Sequence, residues 1–183
     1  MPGSSQLRRH GEQFAALVRQ CQCAKHSILD QSRGDIRMTM QETGRVIREW
    51  VDALTRDDPG AFRACLAPEV HWMNMADGRV VQGAEPLHLA IWGMRVALPD
   101  LHARIDDMVA DGDRVAVEMT FTGTHNGQLI GPAGPVPPTG NQVSLRAALF
   151  FHVQDGRIVR ITRYGDTLSL LTQVGLRPAF QPA

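Results

Sequence analysis

The residues best equipped for chemistry gather near the C-terminal end: His152, Arg163, Tyr164 and Asp166. An imidazole and a carboxylate can move protons near neutral pH, a guanidinium holds anions, and a phenol donates a hydrogen bond. Asp166 has two readings. As the N-cap of a final helix it is ionised and structural, because backbone N–H groups and the helix dipole favour the carboxylate. Among apolar side chains in a pocket its pKa rises, which makes it a general acid or base. Both roles can hold together. His152 on a strand is either a hydrogen-bonded core residue or a catalytic partner. His125, within Gly123-Thr124-His125-Asn126-Gly127, stands where a strand runs into a loop, a usual place for site residues. His71, Trp72 and Asn74 share a strand, and alternation lets only one of His71 and Trp72 face a pocket. Trp50 and Phe121 read as core or pocket wall.

Other chemistries lack their motifs. The sequence has no G-x-S-x-G, no Walker-type loop and no H-E-x-x-H, and no two histidines stand four apart on a helix. The glycines between Gly123 and Gly140 lack the strand-to-helix setting of a dinucleotide site. The expectation is a site with no cofactor and no metal.

The elements that must position these residues follow from local signals. Thr39 with Glu42 fits a capping box, and Val46, Ile47, Trp50, Val51 and Leu54 form one apolar stripe, so 40–56 reads as a helix. Asp58-Pro59 suits N-cap and N1 of a short helix ending before Pro68. A strand over Val70 to Met75, a turn at Asp77-Gly78 and a helix over 84–97 follow, the last with Leu87, Ile91, Met94 and Leu98 near one face. Leu101 to Ala110 and Arg114 to Thr122 read as a hairpin turning at Asp111-Gly112, in which Val115, Val117 and Met119 alternate with Arg114, Ala116 and Glu118. A Gly/Pro loop from Gly123 to Asn141 leads to strands over Val143 to Val153 and Ile158 to Tyr164, and Asp166 opens a helix that Gly175 ends. Helices followed by a mostly antiparallel sheet make an α+β fold with a pocket between the layers.

The turn of the last hairpin decides which polar residues meet. A two-residue Asp155-Gly156 turn would put His152 on a face with Val159, Ile161 and Arg163. A three-residue Gln154-Asp155-Gly156 turn with a glycine bulge would put His152, Tyr164 and Asp166 on one face. Glycine at the third loop position favours the second register.

Composition bounds the partners. The 183 residues carry 19 Lys+Arg and 19 Asp+Glu and only 5% aromatics, which argues against nucleic acid binding. The neutral total conceals a division: residues 1–37 hold six basic and three acidic groups, net +3, leaving −3 for the rest. We expect a basic extension over 1–37, with a short helix carrying Phe14, Leu17, Val18 and Cys21, a domain over 38–177, and a tail over 178–183. No apolar run is long enough for a membrane span, and no secretory signal opens the chain. Cys21, Cys23 and Cys65 form no disulfide framework and read as reduced. A cytoplasmic protein with no nucleic acid or membrane partner is expected.

Several short motifs recur in a familiar order: R-x-x-x-x-W-V-x-A-L from Arg45, A-P-E-V from Ala67, P-D-L from Pro99, G-D-R-V-A-V from Gly112, G-T-H-x-G from Gly123, P-P-T-G from Pro137, D-G-R-I from Asp155, and R-Y-G-D-T-L-S-L-L-T-Q-V-G-L from Arg163. In order and spacing the chain from about Val46 to Leu176 resembles the SnoaL-like polyketide cyclases of the nuclear transport factor 2-like superfamily. The resemblance implies a cone-shaped fold, a homodimer formed through the sheet, and a pocket for a hydrophobic small molecule. It implies that Asp166, immediately before the last helix, is the general acid and base of a cofactor-free intramolecular aldol closure. It also implies that His152, fourteen residues earlier, lies beside Asp166, with His125, Asn74, Tyr164, Trp50 and Phe121 lining the substrate. The segment Gly131 to Val136 is longer than the family's usual connection, which bears on the pocket mouth. Two other readings stay open. One is hydrolysis, as in the related limonene epoxide hydrolases, where Arg163 would serve but a second pocket carboxylate is missing. The other is a non-catalytic binding module in which Asp166 is only a cap.

Overall fold

The computed structural model describes residues 39–131 and 134–176. The basic extension, its short helix, Cys21 and Cys23, and the C-terminal tail lie outside the described residues. Helix α1 (Met40–Thr55) begins as the capping box requires: the Thr39 hydroxyl accepts from the Glu42 N–H at 3.2 Å, and the Glu42 carboxylate accepts from the Thr39 N–H at 2.8 Å. Its apolar stripe is buried throughout, from Val46 to Leu54. Helix α2 (Pro59–Ala64) starts at Asp58, whose carboxylate accepts from the Ala61 N–H at 2.9 Å. Strand β1 (Leu66–Asn74) begins four residues earlier than its apolar run implies, because irregular pairing between Leu66 and His71 accommodates Pro68. Strand β2 (Val80–Gln82) and helix α3 (Ala84–Ala97) follow.

Strands β3 (His102–Asp111) and β4 (Arg114–Thr124) form the expected hairpin, closed by the two residues Gly112-Asp113 rather than at Asp111-Gly112. The Gly/Pro segment expected as loop contains a small hairpin, β5 (Leu129–Gly131) with β6 (Gly134–Val136). Its paired residues Leu129 and Val136 are both buried, and this packing overrides the low strand preference of glycine and proline. Strands β7 (Gln142–Gln154) and β8 (Arg157–Gly165) and helix α4 (Thr167–Gln173) complete the order. The six-stranded sheet runs β2-β1-β8-β7-β4-β3, antiparallel except for the parallel β1–β8 pair, and makes the fold α+β.

The β7–β8 turn differs from the bulged form expected. Gln154 pairs with Arg157 across a two-residue turn, Asp155-Gly156, both with positive φ (49° and 73°), as such a turn demands. The bulge lies further along: Val153 pairs with Ile158 but His152 with Arg160, so Val159 is the extra residue. The result decides the faces. Leu149, Phe151, Ile161, Val70 and Trp72 turn toward the helices and are buried, and Arg163 shares their side. His152, Arg160, Thr162 and Tyr164 turn to the opposite, outer face.

Candidate functional site

Two polar residues, Asn74 and Arg163, meet where β1 and β8 run out, and Asp166 follows at the start of α4. Asn74, the last residue of β1, is 5% exposed and pairs with Arg163 of β8. The Arg163 guanidinium donates from Nη1 to Asn74 Oδ1 at 3.2 Å. Burial pulls this guanidinium below its ordinary pKa, and the Asp77 carboxylate opposes that shift. The side chain folds back over Gly165, where a β-carbon would lie 2.6 Å from Nη2. One residue further, Asp166 accepts the Ser169 N–H on Oδ1 at 2.9 Å and is exposed. Its Oδ2 has no hydrogen-bond partner among the described residues. The N-cap reading of Asp166 is therefore present in the structure, with one oxygen left over.

Helix α4 is held to the start of β7 by its last residue. Gln173 accepts from the Ser144 N–H at 2.7 Å and donates to the Ser144 carbonyl at 3.0 Å, while Asn141 donates to the Gln173 carbonyl at 2.9 Å. Leu170 and Val174 supply its buried contacts. Asp166 is thus carried by a strand end and a helix start that are both anchored.

The structure separates His152 from Asp166. His152 lies opposite Arg160, six residues before Asp166, which is roughly 20 Å at the rise of a strand. It faces outward, with Nε2 2.8 Å from Asp113 Oδ2. The expected adjacency fails because antiparallel partners here sum to 312, which would set Arg146, not His152, across from position 166. Tyr164 is also on the outer face, 46% exposed, edge-on to Phe150 at 5.6 Å between ring centroids.

The remaining residues expected at the pocket are spread through the interior. Trp50 is packed against Phe62 and Phe151 at 5.3 and 5.5 Å, and its Nε1 has no partner. His125 is fully buried, with Nδ1 3.0 Å from Thr139 Oγ1 and Nε2 unpartnered. Phe121 is half-buried beside Ala103 and Leu145. His88, which sequence reasoning passed over, has both ring nitrogens buried without a hydrogen bond, Nδ1 lying 3.7 Å from Glu85 Oε1, and its ring packs at a tilt 4.5 Å from Trp92. Its signal was the four-residue spacing to Trp92 on one helix face.

Two clefts of about 440 and 520 Å³ open on the outer face of the sheet, the first beside His152, Arg114 and Arg160, the second beside Glu118, Arg146 and Tyr164. Among the described residues no three His, Cys, Asp or Glu side chains gather as a metal site would require.

The chain resembles known proteins in both sequence and fold. AclR from Streptomyces galilaeus, a candidate hydroxylase, is 27% identical over 76% of this chain and 100% of its own, with a TM-score of 0.67. IdmH from Streptomyces antibioticus, a candidate polyketide cyclase, is 26% identical over 73% of this chain and 99% of its own, with a TM-score of 0.62. An LEH-like epoxide hydrolase from M. tuberculosis shares the fold, at 19% identity over 74% of this chain and 90% of its own and a TM-score of 0.58. No curated protein matches. A family model matches residues 44–174, from the first turns of α1 to just past α4 and so across every strand and the positions of Asn74, Arg163 and Asp166, which makes this chain a member of the SnoaL-like polyketide cyclases.

Proposed function

We propose that the protein closes a ring in a polyketide-like carbonyl compound, without a cofactor, using Asp166 as general acid and base. The observation that carries this reading is the half-engaged carboxylate. Oδ1 is fixed by the Ser169 N–H, which aims the group, while Oδ2 is free to take a proton. In the reaction Oδ2 removes a proton α to a carbonyl, and the C–H electron pair moves into that carbonyl as an enolate. The enolate carbon attacks a second carbonyl of the same molecule, forming the C–C bond, and the new alkoxide takes the proton back from Asp166. Atoms and charge balance with no further reactant.

Membership in a family with cyclases supports the reaction class, and the anchoring of α4 supports the required precision. Hydrolysis draws less support, since no carboxylate lies within 4.0 Å of Arg163 among the described residues to share a water with it. The test is incubation of the full chain with a linear diketone that has three methylenes between its carbonyls. The cyclic β-hydroxy ketone it forms loses water to an enone, which is followed by ultraviolet absorbance. Accelerated ring closure supports the reading, and no acceleration over buffer at saturating substrate counts against it.

We also propose that the protein pairs with a second copy through the outer face of the sheet, in the cytoplasm. Phe150 and Tyr164 stand exposed together there, with Val109 and Met73 on the same face. Phe150→Asp should convert a dimeric mass in light scattering to a monomeric one. A dimer that survives the substitution would place the interface elsewhere.

A further inference from the structure

Two arginines of this domain turn inward, and the fold treats them differently. Arg95 is paired with an acid and two acceptors: Nη1 donates to the carbonyls of Leu54 and Leu101 at 2.6 and 3.3 Å, and Nε pairs with Asp57 at 3.0 Å. Arg163 is not. It shares a sheet face with the buried Ile161 and Leu149, yet its single hydrogen-bond partner among the described residues is the neutral oxygen of Asn74. Nε and Nη2 have no partner there, and among the described residues no carboxylate comes within 4.0 Å, the Asp77 carboxylate acting from farther away.

A guanidinium drawn toward an apolar layer is costly unless an anion or several acceptors meet it. Its planar fork of N–H donors matches a delocalised oxyanion. Gly165 makes the placement possible, because any side chain there would occupy the space the guanidinium fills. Asn74 holds Nη1 and leaves the rest of the fork without a partner among the described residues.

We infer that Arg163, oriented by Asn74 and seated on Gly165, is an anion-binding group that selects substrates bearing a delocalised anionic oxygen, either a carboxylate or the enolate of a dicarbonyl compound. The enolate form deepens the ring-closure reading and rests on it, since that enolate would be the species Asp166 generates. The carboxylate form stands independently of Asp166.

Titration of the full chain with four probes tests this. Benzoylacetone supplies an enolisable dicarbonyl whose enolate has its own ultraviolet band, and benzylacetone is its control with one carbonyl. Naphthoate supplies a carboxylate, and naphthamide is its neutral control. The parent protein should prefer at least one anionic probe to its control. Arg163→Met should weaken that probe by about tenfold to a hundredfold, the range for a hydrogen bond to a charged group, while leaving the control unchanged. Arg163→Lys, which keeps the charge but loses the fork, should recover only part of the affinity. Preference for naphthoate alone assigns the carboxylate form, and an enhanced enolate band assigns the dicarbonyl form. Asp166→Asn should leave anion affinity within about twofold or raise it, so a loss of ring closure there with anion binding intact separates the two readings. Equal affinity in parent and Arg163→Met, or no preference for either anion, overturns the inference. Where Arg163→Met fails to fold, Gly165→Ala displaces the same guanidinium and gives the same readout.

Discussion

Gly165→Ala is the substitution that separates a guanidinium serving the site from one serving the fold. A β-carbon at residue 165 would lie 2.6 Å from Arg163 Nη2, 2.7 Å from Cζ and 2.9 Å from Nη1. Ordinary carbon–nitrogen contact needs about 3.5 Å or more, so the guanidinium must retreat by up to about 1 Å. The 3.2 Å bond to Asn74 cannot survive that movement within hydrogen-bond limits. Its loss removes about 1 kcal/mol, as the half-buried donors find water instead. Alanine in a strand returns about 0.5–1 kcal/mol through the unfolded state. The two nearly cancel, so the melting temperature should move by less than about 4 °C. Anion affinity should fall by about tenfold, read by titrating benzoylacetone or naphthoate into parent and variant. A drop in melting temperature of about 10 °C or more would make Arg163 a structural group. Unchanged anion affinity would refute the seating argument altogether.

Other substitutions address the frame. Gly127 touches the end of α3 so closely that a β-carbon would fall 1.7 Å from the Val96 carbonyl oxygen, and its N–H bonds the Ala97 carbonyl at 3.1 Å. Gly127→Ala should therefore cost about 2–4 kcal/mol in urea unfolding, and a parent-like midpoint would contradict that contact. Burial, with Glu49 adding to it, pushes the Cys65 thiol up to about 11. The thiol is thus protonated at pH 8 and should react with iodoacetamide only as pH approaches that value or after unfolding, mapped by mass spectrometry of its peptide. Rapid native modification at pH 8 would contradict it.

Much of this architecture was legible because its signals are local. Thr39 with Glu42 and Asp58 with Pro59 fix helix starts within four residues, and Val115, Val117 and Met119 declare their face by alternation. What was not legible depends on pairing between strands. The bulge at Val159 carries no glycine to announce it, so the parity of Arg163 and with it the inward cation could not be read. The apolar Phe150 beside Phe151 blurred which side of β7 the helices cover. The family resemblance implied that His152, fourteen positions before Asp166, lies beside it, but a hairpin centred on Asp155-Gly156 carries the two apart along the strands. The hairpin β5–β6 stayed hidden because its strand character comes from burying Leu129 against Val136, not from β-forming residues.

The central claim, that Asp166 moves the α-proton, is tested most directly by deuterium exchange at the carbon next to the carbonyl of benzylacetone, followed by NMR in heavy water. Asn caps helices about as well as Asp, so Asp166→Asn should keep the melting temperature within a few degrees. The exchange catalysed by the full chain should fall in that variant by about 10²–10⁴-fold, the usual contribution of a positioned base. Exchange that persists at the parent rate, together with a lowered melting temperature, would make Asp166 a helix cap and nothing more.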